Sequence, residues 1–499
     1  MFEFMPEALT AAFSLANMLA LISGTFLGIV VGIMPGIGPM VGMVVILPFT
    51  FSLAPNIALS LLLGVYCGGY FGGAVPAILM RTPGVPSSLI TSFDGFPLTQ
   101  QGKAQTALSA ALVGSFGGGI ISIIILFFLA RLLAQAATKF GSPEYFAVGF
   151  AGVVLVVMSS RKHITRGVLL LCLGLWLSCV GIDSLTISSR YCFGILSMQA
   201  GLNIVPVCLG LFGIGQTLLL VERKILRSGQ IHLTRRTLDF SKLIVAFKYW
   251  QTLIKSGVIG TILGLLPGFG SIMASFLAYQ EAKRSSENPD EFGKGTPEGC
   301  IAAEAGNNAV PAGAMIPLLT LGIPGDALSA VLMGIFTING IYPGPLLLIK
   351  EPVLINTLYL SMMLINIFAF LMLALWLRPF AMIVKVKSSI LAVIIMAVST
   401  IGIYAVNTSM FDVCVALAAG VLGYILLRMQ WPVVNLVVGI VLGSILEEKL
   451  RESLSLFEGN FLLFFTRPIP LAVALMTCLL IAFPFAMKYI NSQKNHQRA

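Results

Sequence analysis

The stretch Gly32-Ile33-Met34-Pro35-Gly36-Ile37-Gly38-Pro39 lies inside a long apolar run and interrupts it with two prolines and three glycines. Proline removes a backbone N–H and glycine permits positive φ, so this stretch predicts a break in a helix. The stretch Gly264-Leu265-Leu266-Pro267-Gly268-Phe269-Gly270 repeats the pattern after another glycine-spaced apolar run. Two matched breaks predict that the chain contains two related halves.

The composition places most of the chain in a membrane. Of its 499 residues 57% are hydrophobic and only 10% are charged, with a mean hydropathy of +0.97. Soluble domains carry about 25% charged residues. The net charge of +10 comes from cations that cluster between apolar segments, which is typical of cytoplasmic loops and not of a nucleic-acid surface. We predict an all-α polytopic membrane protein with about 11–13 transmembrane helices, some of them broken or re-entrant.

Charge also predicts the organisation of the halves. We expect a first transmembrane repeat with linking helices over 1–221, a basic cytoplasmic loop over 222–242, a second repeat over 243–380 and C-terminal helices over 381–499. The first ten residues contain Glu3 and Glu7 but no cation, so the first helix, predicted over 11–34, enters from outside. Its partner follows the basic loop and enters from inside, which predicts inverted topology. No basic region precedes the first helix, so we expect it to remain in the mature protein.

A second pair of landmarks follows in each half. Gly72-Gly73-Ala74-Val75-Pro76 precedes Arg81-Thr82-Pro83-Gly84 at the spacing with which Gly313-Ala314-Met315-Ile316-Pro317 precedes Gly322-Ile323-Pro324-Gly325. Gly/Pro-interrupted segments in corresponding places of two halves indicate the binding site of a transporter. A half-helix N-terminus suits a carboxylate, and freed carbonyls suit a cation. A single Pro-Gly would indicate only a kink, but paired breaks favour a site. We call residues 83–88 the first tip and residues 324–327 the second tip.

These patterns give a set of candidate residues. The predicted substrate-binding residues are Pro83, Gly84, Ser87, Ser88, Asn307, Asn308, Pro324, Gly325 and Asp326. The supporting breaks are Pro35, Gly36, Gly38, Pro267, Gly268 and Gly270. The ion-coupling candidates are Glu304, Asp326 and Asp94, and Arg81 is the candidate counter-ion of an acidic substrate. Two alternatives stay open: interhelical hydrogen bonding by the asparagines, and snorkelling of Arg81 or its pairing with Asp94.

Other site chemistries lack their sequence signatures. The eight cysteines form no C-x-x-C pair, and the three histidines lie near basic loops or the tail, so we predict neither a metal cluster nor a disulfide framework. The chain contains no phosphate-binding loop and no H-E-x-x-H zinc motif. We therefore expect no enzyme activity, no cofactor and no metal other than a coupling Na⁺.

The combined motifs resemble a known family. "GIMPGIGP", "RTPGVPSSLITSFDGFPLTQQGKAQTALSAALVGSFGGG", "GLLPGFGS", "EAGNNAVPAGAMIPLLTLGIPGDALSAVLMG" and "NGIYPGPLL" resemble the large membrane subunit, the TctA family, of tripartite tricarboxylate transporters. The resemblance extends from about residue 18 to residue 485. Its motifs place the tips on Pro83 with Gly84 and on Pro324 with Gly325, and an acid–amide element on Glu304, Asn307 and Asn308. Arg81 and Val85 depart from the usual pattern.

The resemblance implies a function and partners. It implies a secondary importer of tricarboxylate- or dicarboxylate-type substrates in the bacterial inner membrane, driven by a Na⁺ or H⁺ gradient and not by ATP. It also implies a small membrane subunit and a periplasmic solute-binding protein as partners. The alternatives are a solute or ion channel, and a non-transporting membrane scaffold.

Overall fold

The computed structural model describes residues 3–34, 37–137, 140–159, 164–183, 186–222, 247–344, 346–383 and 408–478, and short pieces between 392 and 404. Pro35, Gly36 and nearly all of the predicted basic loop therefore lie outside the described residues. The chain divides into two compact units: Met1–Gln135 with Asn203–Val433, and Ala136–Leu202 with Val434–Ala499. These boundaries differ from those of the predicted segments, because the second unit combines a central and a C-terminal part of the chain.

Within the described parts of the chain, the first unit contains helices, and the second adds one short hairpin. The helices of the first unit are α1 Met5–Ala12, α2 Leu15–Ile33, α3 Gly38–Thr50, α4 Pro55–Met80, α5 Ser88–Gln100, α6 Ala104–Ala137 (its last two residues belong to the second unit), α9 Ile204–Cys208, α10 Gly215–Glu222, α11 Trp250–Leu265, α12 Gly270–Ser285, α13 Pro297–Leu321, α14 Ala327–Ile338, α15 Leu347–Lys350, α16 Pro352–Leu375, α17 Leu377–Ile383 and α18 Met410–Arg428. A π-helical turn, Leu209–Ile214, joins α9 to α10.

Among the residues that the structure describes, five helices are long and apolar enough to cross a membrane: Leu15–Ile33, Pro55–Met80, Ala104–Leu133, Pro352–Leu375 and Met410–Arg428. Six shorter apolar helices accompany them. This confirms the predicted all-α polytopic membrane fold. The first of the spans begins at Leu15, a few residues later than predicted, because the Ser14 side chain accepts the Asn17 N–H and starts a new helix after α1.

The backbone follows the same course in both halves. The residues that end α2 and α11, Met34 and Leu266, have nearly identical extended dihedrals (φ −82°, ψ 110° and φ −90°, ψ 110°). The helices after the breaks begin at Gly38 and Gly270, both with positive φ. The long helices α4 and α13 then end alike: Arg81 and Gly322 are left-handed caps.

Close helix packing explains the glycine spacing before each break. A Cβ at Gly24, Gly28 or Gly32 of α2 would lie 2.1–2.6 Å from a backbone carbonyl oxygen of α4. A Cβ at Gly260 would lie 2.3 Å from the Gly306 carbonyl oxygen of α13. Each pair therefore packs backbone against backbone, as in other small-residue helix contacts. Both α4 and α13 are buried along most of their length, so they form the centre of the first unit.

The tip helices cross over to the opposite half. Helix α5, from the first half, packs against α13 of the second half. Helix α14, from the second half, packs against α3 and α4 of the first half. The long helix of each half thus contacts the tip helix of the other half.

The second unit contains α7 Ser142–Ser159, α8 Ile164–Ser178, α19 Val433–Leu456 and an apolar helix α20 over Pro468–Cys478. The antiparallel strands β1 Gly181–Ile182 and β2 Ser189–Arg190 follow α8. Helices α8 and α19 meet where a Cβ at Gly174 would lie 2.2 Å from the Leu436 carbonyl oxygen. Two ion pairs tie the hairpin to α19: Arg190 of the hairpin binds Glu447 at 2.7 Å, and Asp183 of the hairpin binds Arg451 at 2.8 Å.

Candidate functional site

Glu304 lies at the centre of a buried polar cluster between α13, α5 and α6. Its Oε1 atom accepts hydrogen bonds from the hydroxyls of Ser88, at 3.3 Å, and Thr91, at 2.5 Å. Its Oε2 atom accepts from the hydroxyl of Ser115, at 3.2 Å, and from the amides of Asn307 and Asn308, at 3.3 and 3.0 Å. No water-accessible surface remains on Glu304. Its carboxylate is stabilised by five neutral donors.

The two asparagines leave oxygen atoms unsatisfied in this cluster. The side-chain amides of Asn307 and Asn308 donate to Glu304, yet their Oδ1 atoms are buried and have no hydrogen-bond partner. An unpaired buried carbonyl oxygen costs about 1–3 kcal/mol. Such an oxygen is a ligand for a hard cation, and carboxylate and carbonyl oxygens together form the donor set that such cations prefer. The cluster therefore has the chemistry to hold a small cation.

A second carboxylate lies at the second tip. Asp326 is the N-cap of α14. Its Oδ1 accepts a hydrogen bond from the Ser329 N–H at 2.8 Å, and the Asp326 N–H donates to the Ser329 hydroxyl oxygen at 2.9 Å. This capping box is the role in which aspartate is strongly favoured. The hydroxyl of Tyr66, fully buried on α4, donates to Asp326 Oδ2. The second tip is thus held to the long helix of the other half.

The first tip is packed equally closely but is capped differently. The N–H of Gly84 donates to the Gly73 carbonyl at 3.2 Å, and a Cβ at Gly84 would lie 1.9 Å from the Gly32 carbonyl oxygen. Ser87, the N-cap of α5, makes no side-chain capping bond, and its buried Oγ has no partner. The predicted Ser88 is turned toward Glu304 instead of the helix end.

The second tip repeats the packing of the first. A Cβ at Gly325 would lie 2.7 Å from the Cα of Ala314 and 2.8 Å from the Gly264 carbonyl oxygen. Gly264 and Ala314 stand in the second half where Gly32 and Gly73 stand in the first. The supporting break also contacts this tip directly, because the Gly268 N–H donates to the Gly325 carbonyl at 3.2 Å. Only glycine fits either tip without moving a neighbouring backbone.

Asp94 anchors a loop. Its Oδ1 accepts the backbone N–H groups of Gly293, Gly295 and Thr296 at 2.8–3.1 Å, and its Oδ2 accepts the Tyr279 hydroxyl at 2.8 Å. With four donors the buried carboxylate is well compensated. Asp94 therefore holds α5 to the loop that precedes α13, and its part in ion coupling stays a prediction.

Arg81, the candidate counter-ion, lies at the C-terminus of α4. It ends α4 in the left-handed conformation, with φ 56°, where the second half has Gly322. The side chain is exposed, and its guanidinium lies over the Phe96 ring, 5.9 Å from the centroid. The carboxylate of Asp94 binds other groups, as described above, and no described ion pair joins it to Arg81. The counter-ion assignment of Arg81 stays a prediction.

Three residues of the site were missing from the sequence analysis: Tyr66, Thr91 and Ser115. Thr91 and Ser115 lie on the faces of α5 and α6 that meet Glu304, and Ser115 also lines an apolar recess formed with Phe71 and Leu373. One signal could have identified Tyr66. At the spacing of the tip glycines, it occupies the place in the first half that Asn307 occupies in the second.

Comparison with known proteins assigns the family. The model of the Tripartite tricarboxylate transporter TctA family matches residues 18–438. The chain belongs to the TctA family. As a TctA protein it is a transporter component, and membership of a tripartite family implies partner subunits.

Two curated relatives of this TctA protein come from Agrobacterium vitis. One, described as an uncharacterized 52.8 kDa protein in the TAR-I ttuC' 3' region, is 34% identical over 421 residues, which cover 82% of each chain. The other, an uncharacterized protein in the TAR-II ttuC' 3' region, is 37% identical over 214 residues, covering 42% of this chain and 87% of the relative. No solved structure matches the chain.

Proposed function

We propose that this TctA protein imports a carboxylate substrate, of the tricarboxylate or dicarboxylate type, across the bacterial inner membrane by coupling its movement to an ion gradient. A periplasmic solute-binding protein supplies the substrate, and a small membrane subunit completes the assembly. The observation that carries this proposal is the buried Glu304 cluster beside the first tip. It combines an ionisable group in a membrane domain with two broken helices, and such groups mark ion and substrate pathways.

The coupling ion is proposed to bind at Glu304. Five hydrogen-bond donors offset part of the cost of burying a charge on the Glu304 carboxylate. No arginine or lysine contacts it among the described residues. The unsatisfied Oδ1 atoms of Asn307 and Asn308 add two neutral oxygen ligands. This donor set fits Na⁺ better than a proton. A bound Na⁺ would compensate the charge of the buried carboxylate, whereas a proton would displace one of its hydrogen-bond donors.

The two halves are proposed to have inverted orientation in the membrane. The reciprocal contacts support a pseudo-two-fold relationship, because each tip helix packs on the long helix of the opposite half. Single-cysteine labelling tests the orientation: Glu7→Cys and Arg236→Cys would react with an impermeant maleimide from opposite sides of the membrane. Reaction of both from the same side would contradict inversion.

Transport itself is tested in proteoliposomes that contain the complete assembly. Uptake of radiolabelled citrate, succinate and tartrate is measured with an imposed Na⁺ gradient, with a proton gradient and with neither. We expect saturable, Na⁺-dependent uptake of at least one of these carboxylates. Uptake that needs neither gradient and does not saturate would indicate a channel, and no uptake of any carboxylate would indicate a scaffold.

A further inference from the structure

The two tips have similar backbones but differ in charge. At the spacing of the tip glycines, Val85 of the first tip corresponds to Asp326 of the second. Asp326 places its own carboxylate at the N-terminus of α14, where it accepts the Ser329 N–H. A helix N-terminus carries about half a positive charge, so one carboxylate is sufficient to satisfy it. The second tip is therefore already occupied by an anion that belongs to the protein.

The first tip has no such internal anion. Val85 is buried and packs on Gly73, where a Cβ would lie 2.4 Å from Val85 Cγ2. The N-cap hydroxyl of Ser87 is fully buried and has no partner, and the Oγ1 of Thr82 is also buried without one. One of these unpartnered hydroxyls, that of Ser87, therefore lies at the N-terminus of α5, and the other, that of Thr82, directly follows the cap of α4. Both can donate to a carboxylate.

We infer that the two tips have different tasks: a substrate carboxylate binds only at the first tip, beside the Ser87 hydroxyl, whereas Asp326 closes the second tip to substrate. This inference rests on the proposed function and refines it, because the sequence analysis assigned substrate to both tips. Tyr66 is a positioning residue, since it acts on the second tip through Asp326. Val85 is the position that keeps the first tip open to an anion.

The charge that faces the first tip gives the binding order. Glu304 accepts a hydrogen bond from Ser88, the residue next to Ser87, so its negative charge repels a substrate carboxylate there. Two like charges close together in a buried site disfavour each other strongly. A cation bound to Glu304 removes this repulsion. Substrate therefore binds the first tip after the cation, and its apparent affinity rises with the cation concentration.

A charge-matched pair at Val85 tests the inference in the proteoliposome uptake assay. Val85→Asp and Val85→Asn differ by one charge at nearly equal volume. We expect Val85→Asp to take up the transported carboxylate at least about tenfold more slowly than Val85→Asn, since a second anion occupies the first tip. Equal uptake by the two variants would overturn the inference while leaving the proposed function intact.

If the buried Val85 variants fail to fold, two other substitutions test the inference. Ser87→Ala is expected to raise the KM for the carboxylate about tenfold, the loss of one hydrogen bond to a charged group. Asp326→Asn is expected to lower the maximal rate while its KM stays within about twofold of the wild type. A KM that rises equally in both variants would overturn the inference. Absence of carboxylate uptake by the wild type would overturn the proposed function and this inference together.

Discussion

The hydroxyl of Tyr66 donates a hydrogen bond to the carboxylate of Asp326, and this bond joins the long helix of the first half to the tip of the second. The Thr91 hydroxyl, on the tip helix of the first half, likewise donates to Glu304 on the long helix of the second. The first half thus contributes both hydroxyls and the second half both carboxylates. The two bonds fix the tip helices α14 and α5 to the long helices of the opposite halves.

Removal of the Tyr66 hydroxyl is expected to loosen the second tip. Tyr66→Phe leaves Asp326 with one donor fewer in a partly buried place, a loss of about 1–3 kcal/mol. We expect a lower thermal midpoint in detergent and a lower maximal uptake rate. Tyr70→Phe is the matched control, because the Tyr70 ring lies 5.6 Å from that of Tyr66 but makes no described bond to Asp326. Equal effects of both substitutions would contradict the assignment.

The tip glycines are expected to tolerate no side chain. Gly84→Leu and Gly325→Leu should abolish uptake while the chain still inserts in the membrane. Gly84→Ala should be more harmful than Gly325→Ala, because its Cβ would lie 1.9 Å from a carbonyl oxygen, against 2.7 Å from a backbone carbon at Gly325. Gly334→Ala is the control, since its nearest neighbour is a valine methyl at 3.3 Å. Full transport by both leucine variants would remove the tips from the site.

Loss of Asp94 is expected to release the loop before α13. Asp94→Ala leaves three backbone N–H groups and the Tyr279 hydroxyl without their acceptor. We expect trypsin to cleave at Lys294 several times faster in this variant. Glu281→Ala, which removes an exposed ion pair with Arg284 nearby, is the control and should cleave at the wild-type rate at Lys294. Unchanged cleavage in Asp94→Ala would show that the loop is held by other contacts.

The ion pairs of the second unit predict a dependence on pH. The Arg190 guanidinium donates two hydrogen bonds to Glu447, outside the five long spans, and lowers the pKa of that carboxyl below its ordinary value of 4.5. A lowered pKa stabilises the folded state above the unfolded pKa, and this stability is lost as pH falls through the folded pKa. Wild type should therefore lose about 1 kcal/mol below pH 4.5 that Glu447→Gln does not lose.

Thermal midpoints measured between pH 3 and pH 7 check this prediction. Glu447→Gln should be less stable than the wild type at pH 7, and the difference should shrink on acidification. Glu458→Gln, at an exposed position in the same unit, is the control and should follow the wild type. A constant difference at every pH would contradict the assignment.

The sequence predicted the repeat and most of the central residues because local chemistry specifies them. Pro-Gly breaks fix where helices end, and aspartate after Pro324-Gly325 predicts the N-cap that Asp326 forms. The anchoring role of Asp94 could not be predicted, because its partners, the N–H groups of Gly293, Gly295 and Thr296, are backbone groups of a distant loop. Such groups carry no sequence signal. The hydroxyls of Tyr66, Thr91 and Ser115 were missed for a related reason. A single hydroxyl on an apolar helix gives no sequence signal, and only the packing of the helices shows that it lies beside a carboxylate.

The most direct test of the account is the Na⁺ dependence of carboxylate uptake in Glu304→Gln. Glu298→Gln is the matched control, because Glu298 is another buried carboxylate that accepts hydroxyl bonds, from Thr252 at 2.6 Å and Ser286 at 2.7 Å, without belonging to the site. We predict that Glu304→Gln loses Na⁺-driven uptake at least about tenfold while Glu298→Gln keeps it. Undiminished Na⁺-driven uptake by a folded Glu304→Gln protein would contradict the central claim that Glu304 binds the coupling ion.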